Sequence, residues 1–323
     1  MQGKQQIFLL FVLLSGLCFI YNNTPQDHGW ILKCSSCISN QTYGAPKASF
    51  WQKRKSHSIK RLPELPVYEA TNTTEASQHI NRIGVYTVVS GGYEVTLRTS
   101  AAALEVPCYV VSDDASLAIG GWRHIPLARF YGAGDLPTQN RFATWLQRFI
   151  KICPHFIPVL REFDVLLYID GNIEMKPAAF QKLKMDHSEL ISVVHGERLS
   201  VREELHVVKS RFPSCRVDNI EKLYNSSDFD ADAFGLTQTN VLWRLKPASP
   251  RMRALSELWL STLKLGPCWR DQTGFDYAAW KVGMRVKRFL QKKRESLPER
   301  LRIRVDPDQT PLGFKYHGHS GKN

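Results

Sequence analysis

The feature that most constrains this chain is a set of short, nearly continuous apolar runs that stop on acids or glycines. In "FDVLLYIDGNIEMKP" (163–177), six of the seven residues from Phe163 to Ile169 are apolar or aromatic, and the run then breaks on Asp170, Gly171 and Asn172. "IGVYTVVSGG" (83–92) ends on paired glycines, and "VPCYVVSDD" (106–114) ends on Asp113 and Asp114. A further run, "LISVVHG" (190–196), has the same character. Strands with no polar alternation are buried on both faces, which suits a parallel sheet covered by helices rather than a solvated antiparallel one.

Segments with a helical period lie between and after these runs. "LPTQNRFATWLQRFIKI" places Phe142, Trp145, Leu146, Phe149 and Ile150 at helical spacing, with Thr138 as a plausible N-cap. Helices are also expected over 200–212, 250–266 and 272–284. The alternation predicts an α/β domain with a mostly parallel sheet flanked by helices. In open sheets of this kind ligands bind beyond the carboxyl ends of the strands, where these acids fall.

The region before Ile83 reads differently. Lys4 precedes fifteen apolar or small residues from Ile7 to Tyr21, without a charge. That is short for a span of about 20 residues. Bulky residues at its end disfavour cleavage of a signal peptide, so the expectation is a signal-anchor over 7–21 behind a short cytoplasmic tail over 1–6; cleavage and secretion is the alternative. Residues 22–78 are rich in Ser, Thr, Asn, Pro and Lys and read as a lumenal stem, leaving 79–323 for the folded domain. The expected location is a Golgi or other secretory-pathway membrane, single-pass and type II.

Four N-x-[ST] sequons, at Asn22, Asn40, Asn72 and Asn225, agree with a lumenal placement. Six cysteines lie beyond the apolar run, at 34, 37, 108, 153, 215 and 268, an even number that suggests disulfides. The net charge of +13 raises nucleic acid as a partner, but no zinc-finger, RNA-recognition or helix-turn-helix signature accompanies it. A solvated basic face, or affinity for phosphates and membrane surfaces, accounts for the charge better.

Three strand or helix ends carry the chemistry. Asp170-Gly171-Asn172 has the form of a D-x-D motif with an amide in the second place. Mg²⁺ or Mn²⁺ on a diphosphate takes one or two carboxylates plus phosphate oxygens; an ordinary Asp-Gly turn is the alternative. Asp113 and Asp114 are placed to accept from a ribose or a base, or else to form a turn. Asp271, at a helix start in "WRDQTGF", is either an N-cap or a carboxylate beside a transferred group. Arg270 next to it suits a phosphate or a neighbouring acid. His317, in the polar tail "GFKYHGHSGKN", is a solvated histidine or a metal ligand brought by a closing C-terminal segment.

Taken in order, "YTVVSGGYE", "YVVSDD", "NRFATWLQRFIKICPH", "YIDGNIEM", "HGERLSVREE", "FGLTQTNVLWR" and "RDQTGFDYAAWK" resemble the GT-A-type glycosyltransferase-like family that includes plant mucilage-related and turgor-regulation hexosyltransferase-like proteins and bacterial relatives. The resemblance spans roughly Ile83 to Met284. It implies a GT-A-like (Rossmann-like) fold and transfer of a sugar from a nucleotide-sugar donor, UDP-linked, to a glycan or glycoconjugate acceptor. It implies Asp170, Asn172 and His317 as metal ligands for Mn²⁺ or Mg²⁺, and Asp113, Asp114, Arg141 and Lys151 as donor contacts. Asp271 and Gln272 become the catalytic pair, similar to the Asp-Gln pair of retaining families. Arg198, Glu204 and Arg270 become acceptor-side or structural residues. Asn172 departs from a second acid and removes one charge from the metal site. A non-catalytic glycan- or nucleotide-binding relative is the alternative.

Overall fold

A computed structural model describes residues 17–24, 27–34, 82–130, 140–266, 270–291, 293–299 and 311–318. The chain forms two compact units. In the first, strand β1 (Leu17–Thr24) pairs antiparallel with β2 (Asp27–Cys34), Leu17 opposite Cys34 and Thr24 opposite Asp27. The expected anchor over 7–21 therefore lies outside the described residues except for Leu17–Tyr21, which belong to β1. Residues 35–78 of the expected stem also lie outside them. No helix among the described residues is long and apolar enough to cross a membrane.

The second unit holds a seven-stranded sheet. In chain order its strands are β3 (Ile83–Val89), β4 (Cys108–Ser112), β5 (Trp122–Pro126), β6 (Val165–Ile169), β8 (Leu190–Val194), β9 (Thr237–Leu245) and β10 (Val286–Phe289). They lie side by side in the order β10-β8-β9-β6-β3-β4-β5. All neighbours pair in parallel except β9, which is antiparallel to both β6 and β8. The mostly parallel sheet expected from the apolar runs is thus present, with one reversed strand at its centre.

That reversal has a consequence for the site. Ile169 at the end of β6 pairs with Val241 at the middle of β9, so the polar run Thr237 to Asn240 that precedes it emerges at the same edge as the carboxyl ends of the parallel strands.

Helices cover both faces. Helix α1 (Asn140–Ile152) lies over Tyr86 and Tyr168, whose rings meet edge to face at 5.1 Å. After the single turn α2 (Pro158–Arg161), α3 (Pro177–Lys184) packs on the other face, Phe180 against Trp243 at 6.4 Å. Helices α4 (Val201–Arg211), α5 (Val217–Asn225), α6 (Pro250–Leu265) and α7 (Gln272–Lys281) complete the layers. Ser200 and Ser249 cap α4 and α6 by accepting from Glu203 N and Met252 N. A two-stranded ribbon, β7 (Ile173–Glu174) with β11 (Lys315–Tyr316), brings the C-terminal segment beside the Asp170 turn.

The cysteines do not all pair. Cys108 and Cys153 are buried free thiols, whereas Cys215 is disulfide-bonded. Burial pushes the Cys108 thiol up to about 12 and that of Cys153 higher still, so both behave as small apolar side chains. Thr138 lies outside the described residues.

Candidate active site

A cavity of about 400 Å³ opens at the carboxyl edge of the sheet. Six pieces of chain wall it: the end of β3 and its loop, one face of α1, the turn after β6, the start of β9, the start of α7, and Tyr316 of the C-terminal segment. From α1 it receives Thr144, Gln147, Arg148 and Lys151, the spacing of a single helical face.

Lys151 is the centre of this arrangement. It is 1% exposed, and its Nζ lies 2.7 Å from Asp271 Oδ2, 3.1 Å from Thr239 Oγ1 and 3.8 Å from Asp170 Oδ1. The ammonium also sits 4.9 Å from the centre of the Tyr168 ring, a cation–π distance. Its backbone is held as firmly. The Lys151 carbonyl accepts from Tyr86 Oη at 2.8 Å and from Arg244 Nη2 at 2.9 Å, and Arg244 Nη1 donates to Tyr86 Oη at 3.0 Å. The last turn of α1 leaves carbonyls without partners in the helix, and this buried Arg–Tyr pair supplies one.

Asp271 is 4% exposed. It stands at the start of α7 but makes no side-chain cap, so the capping role open to it in the sequence is not the one it performs. Burial would raise its pKa. The Arg148 and Lys151 charges, with hydrogen bonds from Lys151 and Thr239, outweigh that and hold the carboxyl well below the usual range. Arg148 Nε lies 3.8 Å from Asp271 Oδ1, and Thr239 Oγ1 lies 3.0 Å from Oδ2. Trp259 Nε1 donates to the Asp271 carbonyl at 2.6 Å.

Asp170 is the acid turned toward open space, its side chain 31% exposed. Tyr168 Oη donates to its Oδ1 at 2.6 Å, and its backbone N–H donates to Asn240 O at 2.9 Å. Ile173 N closes the turn onto Asp170 O at 3.0 Å. The glycine between the two polar residues has a packing reason. A Cβ on Gly171 would lie 3.2 Å from Val89 Cγ2 and 3.3 Å from both Glu94 Cγ and Leu97 Cδ2. A side chain there would make the residues that close over this turn give way by a few tenths of an ångström.

The structure brings together part of the expected set. Lys151, Asp170, Asn172, Arg270, Asp271 and Gln272 all line the cavity. Asp113 does not line it. Its Oδ2 accepts from Gly91 N at 2.8 Å and so steadies the glycine turn, where Gly91 and Gly92 take φ of +65° and +68°. Asp114 is exposed and caps a short turn through Ser116 N. Arg141 lies in α1, with its side chain outside the described residues. Arg198 and Glu204 form an ion pair at 2.6 Å away from the cavity wall. Burial raises the Glu204 carboxyl, against the Arg198 and Arg270 charges that lower it.

His317 sits on the C-terminal segment where a closing ligand was expected. There its backbone N–H donates to Asn172 O at 3.0 Å, and its Nε2 lies 2.7 Å from Glu174 Oε2. Glu174 is the partner that the structure gives this nitrogen, and Tyr316, not His317, reaches the cavity.

Among the described residues no group of three or more His, Cys, Asp or Glu side chains could hold a metal ion. A caged site is therefore absent there. Asp170, with an oxygen facing the cavity, fits a divalent cation that takes most of its ligands from substrate phosphates and water.

Several site residues were not singled out from the sequence. Arg148 and Gln147 share the helical face of Lys151, a periodicity present in "TWLQRFIK". Gln238, Thr239 and Asn240 open β9 in "TQTN", where a polar start to an otherwise apolar strand was the available signal. Glu94, 4% exposed, and the half-exposed Tyr93 and Tyr316 complete the wall.

No family model matches the sequence, and no curated protein matches it. Solved structures similar to the chain include the bifunctional glycosyltransferase WbbM (12% identity, TM-score 0.40, 75% of this chain and 46% of that one). Mouse xyloside xylosyltransferase 1 follows at 11% identity and TM-score 0.38, over 75% of this chain and 96% of that one. The mannosyltransferase Ktr4p from S. cerevisiae is matched at 11% identity and TM-score 0.30, over 63% of this chain and 64% of that one. The chain thus spans less than two thirds of the length of WbbM and of Ktr4p.

Proposed function

We propose that the chain is a glycosyltransferase that moves a sugar from a nucleotide-sugar donor, UDP-linked, to a glycan or glycoconjugate acceptor. The observation that carries this reading is Asp170, at the end of β6, facing Lys151 across 3.8 Å in a polar cavity that Arg148 and Arg270 also line. Such a cavity suits a leaving diphosphate. Fixed cations there favour the charge that builds on the phosphate oxygens as the sugar departs, which is often the largest catalytic contribution. Asp170 would hold Mn²⁺ or Mg²⁺ on the diphosphate, and the ion would supply further charge neutralisation.

The state of Asp271 bears on stereochemistry. A carboxylate buried between Lys151 and Arg148 and held far below its ordinary pKa is a poor proton acceptor at neutral pH. An inverting transfer needs a base to deprotonate the acceptor, and Asp271 does not suit that task. Its evident work is to hold Lys151, which agrees with the retaining transfer that the resemblance to an Asp-Gln pair implies. Placement in the secretory pathway behind an N-terminal anchor is part of the proposal and rests on the apolar run at 7–21 and the sequons.

Thermal unfolding of the full chain with UDP, alone and with Mn²⁺, tests the reading through linkage. A ligand bound only by the folded state raises the melting temperature, by an amount set by its concentration over Kd. A rise with UDP that increases with Mn²⁺ is expected. No rise with UDP at millimolar concentration in either condition contradicts it.

A further inference from the structure

Of the four sequons, Asn225-Ser226-Ser227 lies on the seven-stranded unit among the described residues. Asn40 and Asn72 fall outside those residues, and Asn22 belongs to β1. Asn225 is the last residue of α5, and both it and Ser226 are exposed. The helix docks through Val217, Ile220 and Tyr224, which are buried. Tyr224 packs against Phe229 and Tyr277, each ring centre 5.1 Å away. Asn225 follows Tyr224 by about 100° around the helix axis and so leaves the docked face.

The fold gives this asparagine no task of its own. Asparagine is a poor helix former, and at a helix end it is favoured where it takes a left-handed cap. Here the C-cap is Ser226, with φ of −90°, and Asn225 has no positive φ. The other asparagine of α5 shows what a structural use looks like: Asn219 Nδ2 donates to Leu265 O at 3.0 Å. The Asn225 side chain makes no such bond among the described residues. No residue of α5 or of the turn after it lines the cavity, so a bulky group on Asn225 leaves the candidate active site open.

Resting on the secretory-pathway placement above, we propose that Asn225 carries an N-linked glycan. Such a glycan is bulky and polar and needs an exposed acceptor in an N-x-[ST] triplet. The Asn225 Nδ2 bonds to the anomeric carbon of a lipid-diphosphate-linked oligosaccharide. The bond from that carbon to the diphosphate oxygen breaks, and the departing lipid diphosphate takes up the proton that the amide gives up. In the fold the Ser227 hydroxyl donates to Tyr224 O at 2.9 Å. The triplet is therefore read on the emerging chain, before this turn closes.

The test uses the full chain expressed in eukaryotic cells that glycosylate lumenal proteins. Treatment with peptide-N-glycosidase in heavy-oxygen water returns each glycosylated asparagine as a labelled aspartate, and peptide mass spectrometry locates the label. Position 225 should be labelled. Asn225→Gln and Ser227→Ala should each run one glycan lighter than wild type, whereas Ser227→Thr, which keeps the hydroxyl, should run with wild type. A protein carrying Asn22→Gln, Asn40→Gln and Asn72→Gln together should still lose mass on deglycosylation. Label at other sequons but none at 225, with Asn225→Gln as heavy as wild type, overturns the assignment and leaves the placement standing. No label and no loss of mass at any sequon contradicts the placement itself, and this inference with it.

Discussion

Lys151 Nζ and Asp271 Oδ2 lie 2.7 Å apart in a pair with almost no exposure to water, joining the last turn of α1 to the first turn of α7. Each charge answers the other's desolvation, and removing one partner strands the other. Lys151→Met should therefore cost about 3–5 kcal/mol of folding stability. The paired change Lys151→Met with Asp271→Asn should cost less than the sum of the two single changes. Urea unfolding of the four proteins in a double-mutant cycle measures the coupling; additive losses would mean that the two residues do not act as a pair.

Acid should weaken the fold through three buried groups. His195 Nδ1 accepts from Glu197 N and Arg198 N, both at 3.1 Å, and the Arg198 guanidinium lies 3.0 Å from Nε2. Burial, then the Arg198 and Arg270 charges, lower its pKa from 6.5 to about 3. His155 is lowered to about 4, by burial and then by Arg253 and Arg244. Both bind a proton more readily when unfolded. Their contribution is complete above about pH 6.5 and falls away as pH drops toward about 4 for His155 and about 3 for His195. Asp271, also depressed, contributes above its ordinary value of 3.8 and loses that contribution as pH falls further. His195→Gln should lessen the loss of stability between pH 6.5 and 3, leaving the share of His155 in that range and that of Asp271 below 3.8. Unfolding midpoints across that range check the slope, and an unchanged slope would mean that His195 takes up its proton in the fold as readily as in the unfolded chain.

Arg244 should matter more to the site than its distance from the cavity suggests. It is 1% exposed and bonds both the Lys151 carbonyl and Tyr86 Oη. Arg244→Met keeps much of the volume and removes charged hydrogen bonds worth about 1.5–3 kcal/mol each. A loss of stability of that order is expected, together with weaker UDP binding because the end of α1 is freed. Calorimetry and urea unfolding on one sample set separate the two effects.

Gly171→Ala tests the packing reason for the central glycine. The added methyl would meet Val89, Glu94 and Leu97 at 3.2 to 3.3 Å, closer than ordinary contact. Overpacking of this kind costs about 1–3 kcal/mol. Thermal unfolding should register that loss even without ligand. A variant as stable as wild type would mean that the loop over the turn yields freely.

Strands β3, β4, β6 and β8 were legible because burial on both faces leaves a run of apolar residues with no alternation, as in Val165 to Ile169, whereas β5, β9 and β10 were not singled out. Helices α1, α4, α6 and α7 were legible from their period. The reversal of β9 was not, because parallel and antiparallel pairing leave no local mark on a strand buried on both sides. That hid Thr239 and Asn240, which reach the cavity only because β9 runs backwards. Asp271 could be placed at a helix start, but whether it capped the helix or met a cation depended on Lys151, 120 positions earlier by number. Pairings at such separations are properties of the packed chain.

The most direct test of the account is donor turnover by the full chain against Asp170→Asn. UDP release is followed from UDP-glucose, UDP-galactose and UDP-xylose with Mn²⁺ present and absent. The account predicts release from at least one donor, and a fall of about a hundredfold or more in Asp170→Asn, the scale typical of losing one preorganised electrostatic group. Turnover that Asp170→Asn leaves unchanged, or no turnover with any donor despite tight UDP binding, would contradict it.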